Sequence, residues 1–153
     1  MVRLIMKQWV FFLTLSWLIA WTVLQLWPSS YWMTVSRVHA FDTPYEKDVI
    51  MDVGRSINRP FVGHWSVLVR SWSGESWDIY CAAQGSSDYR PSAVLPVPLT
   101  LNWWTNGQCH TPDTGTYFIA TIWSIKHAIL PEKTISVESN VFRVLDLPQG
   151  DVK

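Results

Sequence analysis

The pattern of apolar and polar positions changes once along this chain, near Pro28, and the change separates two kinds of structure. Residues 8–36 carry no charged side chain, and within them residues 9–27 (WVFFLTLSWLIAWTVLQLW) are apolar except at Thr14, Ser16, Thr22 and Gln25. At a helical rise of about 1.5 Å per residue this run spans roughly 28 Å, close to the hydrocarbon thickness of a bilayer. Trp9 at one end, with Trp27, Tyr31 and Trp32 at the other, stand where aromatic belts form. The interrupting polar side chains can bond to backbone carbonyls or to a partner helix, and Pro28 stops the helix. The pattern predicts a membrane anchor over residues 9–33, a short cytoplasmic N-terminus at 1–8 and a linker at 34–45.

A buried core helix of this length would ordinarily carry a charge. A cleaved secretion signal is the stronger rival, because Val38-His39-Ala40 has the small-residue spacing of a processing site. Against it, the apolar run exceeds the usual core of about 7–15 residues, and a cut after Ala40 lies far beyond Trp27. The retained anchor is the favoured reading. Arg3 and Lys7 precede the span and Arg37 follows it, which orients the N-terminus to the cytoplasm and exports the C-terminal domain. In a bacterial cell this means a single-pass inner-membrane protein with a periplasmic domain.

Beyond Pro44 the pattern switches to a period of two. β-Branched and aromatic runs, separated by turn residues about every ten positions, predict strands at 49–53, 65–72, 77–82, 99–104, 117–125, 134–137 and 141–145. Trp65, Val67 and Val69 alternate with Ser66, Leu68 and Arg70. Tyr117, Ile119, Thr121, Trp123 and Ile125 share one face, opposite Phe118, Ala120, Ile122 and Ser124. The middle of the latter strand is apolar on both faces, as suits a central strand. No later segment keeps a helical period. The expectation is a mostly β, seven-stranded antiparallel sandwich over 46–148, with a tail at 149–153.

Composition changes this picture in three ways. The 153 residues suffice for one domain and a terminal segment, and the 12 basic and 12 acidic side chains balance. From Phe41 onward, however, nine Lys/Arg face all twelve acids, a net of minus three, which argues against nucleic acid as a partner. The chain has two cysteines, Cys81 and Cys109, both in the exported part. An isolated pair there reads as a disulfide rather than a metal site, since neither has a second ligand at zinc-like spacing.

Asp113-Thr114-Gly115-Thr116-Tyr117 has the D-x-G-x-Y spacing that resembles the tyrosine corner of immunoglobulin-like and fibronectin-III-like domains. The resemblance implies that Tyr117 opens a strand and bonds back to the corner, with Asp113 and Gly115 shaping the turn. The position two after the tyrosine, where immunoglobulin domains place a core cysteine, is Ile119. The layout as a whole resembles one-pass membrane proteins of phages and bacteria.

Of the eleven tryptophans, Trp65, Trp77 and Trp123 are expected in the core. In a strand, Trp103 and Trp104 would face opposite sides, so at most one enters the core. Trp72 and Trp104, with Tyr89 and Arg90 from the proline-rich stretch 84–98, are the candidate interaction surface. His39, His64, His110 and His127 form no metal or catalytic motif, and neither a nucleophile elbow nor a phosphate loop is present. No enzyme activity, cofactor or metal is expected. Three functions stay open: recognition of a protein or envelope partner, a structural subunit with an exposed apolar patch around Trp72 or Trp104, and a sugar-binding or hydrolytic domain. The hydrolase needs a concave pocket holding an aromatic and two carboxylates.

Overall fold

The computed structural model of the chain describes residues 2–126 and 131–146. The predicted tail at 149–153, the last two residues of the predicted domain and His127 lie outside these residues. The described chain is mostly β, with one long apolar helix at its start. Helix α1 (Val2–Gln25) is followed by β1 (Met33–Ala40), β2 (Thr43–Pro44), β3 (Ile50–Ile57), β4 (Phe61–Trp72), β5 (Trp77–Tyr89), β6 (Leu99–Thr100), the short helix α2 (Leu101–Trp104), β7 (Gly115–Ile125), β8 (Lys133–Glu138) and β9 (Phe142–Leu145). Strands β1-β3-β6 make a three-stranded sheet. The larger sheet has six strands in the order β2-β9-β7-β4-β5, with β8 also paired to β7. Most pairings are antiparallel, and β2 with β9 is parallel.

Helix α1 is long and apolar enough to cross a membrane between Gln8 and Gln25, and none of that window is buried against the rest of the chain. The helix is therefore not packed as a core helix of this domain. Thr14 and Thr22 donate their hydroxyls to carbonyls one turn back, so their polarity is absorbed within the helix. The helix ends before the predicted boundary. Trp32 and Met33 are buried in the β domain instead of extending the anchor, and the Trp32 carbonyl accepts from the Asn58 and Arg59 amides.

The predicted linker is largely strand β1. Its apolar positions, Met33, Val35, Val38 and Ala40, alternate only if one residue is skipped, and a bulge between Val35 and Arg37 supplies that skip. At its far end the Asn140 side-chain amide accepts from the Ala40 N–H (2.8 Å) and donates to the Ala40 carbonyl (2.9 Å), filling ladder positions that no strand takes.

Residues 99–104 also differ from expectation. Only Leu99 and Thr100 are extended, because the Thr100 hydroxyl caps α2 by accepting from the Trp103 N–H. The Leu101 N–H bonds the Val49 carbonyl at 2.8 Å, which pins the short helix across the end of β3. Both sheets contribute to one core, with Met51 and Ile57 of β3 in the same buried cluster as Val67, Val69, Ile119 and Trp123 of β4 and β7.

Candidate functional site

Strands β4, β5 and β7 form one wall of a cleft, and pairing sets its side chains in rows. One row runs Gly85, Trp65, Trp123 and Ile135; the next runs Ala83, Val67, Thr121 and Val137. Gly85 has a specific reason to lack a side chain. The Trp65 ring lies over it, and an added Cβ would stand 2.6 Å from a ring carbon. The opposing wall comes from α2 and the turn after it, with Asn102, Trp103, Trp104, Asn106 and Gly107. Asn106 and Gly107 take positive φ (53° and 73°), which reverses the chain tightly enough to bring the turn to the cleft. Arg55 of β3 and the Ala93-Val94 segment complete a space of about 740 Å³. That volume is within the range of about 300–1,000 Å³ typical of ligand clefts.

The disulfide holds this wall in place. Cys81 of β5 is bonded to Cys109, with Cα atoms 5.9 Å apart. Strand β5 is the edge of the larger sheet, and the Gln108 side-chain amide bonds both the Gln84 N–H (3.1 Å) and its carbonyl (2.9 Å). The loop after α2 thus caps the middle of an otherwise open edge while it positions the tryptophans.

The floor of the cleft is polar where it most needs to be. Trp104 is 7 % exposed, and its indole N–H donates to the Thr121 hydroxyl at 3.1 Å. Its ring meets Trp123 edge to face at 5.9 Å, and Trp123 is 1 % exposed. Trp103, one residue earlier, is 51 % exposed at the rim. Tyr89 stacks on Phe61 at 4.7 Å, and burial pushes its hydroxyl pKa up, while Arg55, Trp123 and Ser87 act in the opposite direction. The Arg55 guanidinium lies 5.5 Å from the Tyr89 ring, and its pKa is lowered chiefly by desolvation. Asp88 is the one acidic residue of the lining, and its place opposite Val62 directs the carboxylate to the other face of the sheet, so the described lining lacks the carboxylate pair a glycosidase needs. Among the described residues there is no group of three or more His, Cys, Asp or Glu suited to a metal ion.

The candidate surface read from the sequence does not form one patch. Trp104 and Tyr89 line the cleft but are buried, Arg90 is exposed just beyond β5, and Trp72 is on the other face of the sheet. Trp77, expected in the core, also belongs to that outer face, where it meets Trp72 (5.3 Å) and Phe118 (4.7 Å). Trp65 is only half-buried, as a wall of the cleft. Compared with protein-family models, curated proteins and solved structures, the chain matches none of them.

Sequence reasoning missed Arg55, Asn102, Asn106 and Thr121 as members of the site. Arg55 carried a signal: it continues the alternation of Met51 and Val53 towards Ile57, beyond where the predicted strand stopped. Tyr117 donates its hydroxyl to the Asp113 carbonyl at 2.9 Å, so the D-x-G-x-Y turn closes on itself away from the cleft.

Proposed function

We propose that this chain is a membrane-anchored recognition protein whose exported β domain binds a saccharide in the cleft between its sheets. The observation that carries the reading is the cleft itself: an open space walled by Trp65, Trp103 and Trp104 and rimmed by amide, hydroxyl and guanidinium groups. Sugar rings have C–H faces that stack on indoles and hydroxyl edges that need hydrogen bonds, so this pairing of surfaces suits them. The exposed apolar helix supports the anchor, and the disulfide supports an oxidising compartment, the periplasm in a bacterial cell. In this reading the N-terminus is cytoplasmic and the ligand belongs to the cell envelope. We read the domain as an immunoglobulin-like sandwich; the two sheets around one core and the Tyr117 back-bond support this, while the cysteine positions depart from that family.

A second reading rests on a separate observation. Trp72 and Ile79 are exposed on the outer face beside Trp77 and Phe118, an apolar group of the kind protein partners cover. The two readings part in one experiment. Full-length protein in nanodiscs is titrated with a panel of oligosaccharides, following tryptophan fluorescence and calorimetry. Trp103→Ala is expected to weaken binding at least about tenfold and Trp72→Ala to leave it unchanged. Absence of saccharide binding, or sensitivity at Trp72 alone, overturns the cleft reading.

A further inference from the structure

Arg55 stands where the strand calls for a hydrophobe. Its neighbours in the alternating register of β3, Met51 and Ile57, are core residues, and Val53 packs against that core. Yet the guanidinium has no ion pair; among the described residues the salt bridge is Arg37–Asp52, on the outside. Its recorded contact is the Tyr89 ring, a cation–π approach that neutralises nothing. No side-chain nitrogen of the described residues is both fully buried and unbonded. The N–H groups of Arg55 therefore keep some exposure, and the residue lines the cleft. A partly desolvated cation with unfilled donors is costly to keep, and an anion arriving in the cleft relieves that cost. A bound anion also gains a flat, five-donor fork suited to two parallel hydrogen bonds.

The charge that fits is limited. Arg55 is the one cation of the lining, and Asp88 of β5, opposite Val62, turns its carboxylate to the outer face of the sheet. A doubly charged phosphate monoester would be under-compensated by the lone Arg55, whereas a single negative charge matches. We infer that the ligand is an acidic saccharide, whose singly charged anionic group is held by Arg55 while its ring stacks on the cleft tryptophans. This rests on the saccharide reading above and names the substrate class within it. A carboxylate of a uronic acid and a sulfate ester share this chemistry.

The test compares ligands that differ in charge but hardly in shape. Full-length protein in nanodiscs is titrated with an oligogalacturonate, its methyl ester and a sulfated oligosaccharide of similar length. The acid is expected to bind about tenfold more tightly than the ester, with a preference that shrinks as salt rises. Arg55→Met is expected to bring the acid to the level of the ester, and Arg55→Lys to keep a weaker preference for the acid. Preference for the sulfated ligand over both acid and ester assigns the anion as a sulfate and also supports the inference. Equal binding of acid, ester and sulfated ligand by the unaltered protein overturns the inference while leaving the saccharide cleft standing. This arm does not depend on whether a variant folds. Retention of the full acid preference in Arg55→Met likewise overturns it. Failure of every saccharide to bind overturns both.

Discussion

Both faces of the large sheet carry aromatic rings and use them differently. On the inner face, Trp104 and Trp123 are buried, and the Trp104 indole N–H is satisfied by the hydroxyl of Thr121. On the outer face, Trp72 is 44 % exposed and packs on Trp77, which in turn meets Phe118. On the inner face, α2 and its disulfide-held turn are tied to β5 and β7, and the cleft lies between them and Arg55 of the smaller sheet. Aromatic content alone does not mark a site. Concavity, and polar groups placed at its floor and rim, make the difference.

The comparison breaks most readily at Trp123. Trp123→Ala is expected to cost about 3–5 kcal/mol by leaving a large cavity, whereas Trp72→Ala should stay within about 0.5 kcal/mol. Urea midpoints of the two variants check this, and equal losses would erase the distinction between the faces. Removing the disulfide by Cys81→Ser with Cys109→Ser should cost about 3–4 kcal/mol through the freed loop. The same variant releases Gln108 from the β5 edge, so light scattering should report association that the native chain does not show.

A smaller effect sharpens the role of the polar floor. Thr121→Val keeps the shape but strands the Trp104 N–H, with an expected loss of about 1–3 kcal/mol measured by thermal or urea unfolding. A loss below the error of such a measurement would mean that the hydroxyl frame contributes nothing.

The smallest effect is alkaline. Burial raises the pKa values of Tyr89 and Tyr117, so the folded state holds both protons to a higher pH than the unfolded chain, whose tyrosines ionise near pH 10. Their contribution is full below that pH and is lost as pH rises above it, since there the unfolded state binds fewer protons. Urea midpoints across this range should fall, and Tyr89→Phe should flatten the fall. A midpoint that rises with pH would contradict the sign.

Much of the fold was legible in local pattern. The uncharged run of α1, the alternation of β4 and β7 and the isolated cysteine pair each follow from neighbours in the chain, because helix and strand periods and thiol pairing are short-range or compositional signals. The site was less legible. Strand β1 was hidden by a bulge that shifts its alternation by one residue, and α2 replaced a strand because a threonine cap and a bond to Val49 outweighed local propensity. Trp104 and Tyr89 were singled out from the sequence, but as exposed residues on a common surface with Trp72.

By itself, then, the sequence determined the apolar helix, the β-rich domain and the residues able to form a disulfide. Only the tertiary structure decided which tryptophans face each other, that Arg55 turns inward without a counter-ion, and that Gln108 and Asn140 cap strand edges. The physical reason is separation along the chain: the cleft joins β3, β4, β5, α2 and β7, and no local period encodes which strand lies opposite which.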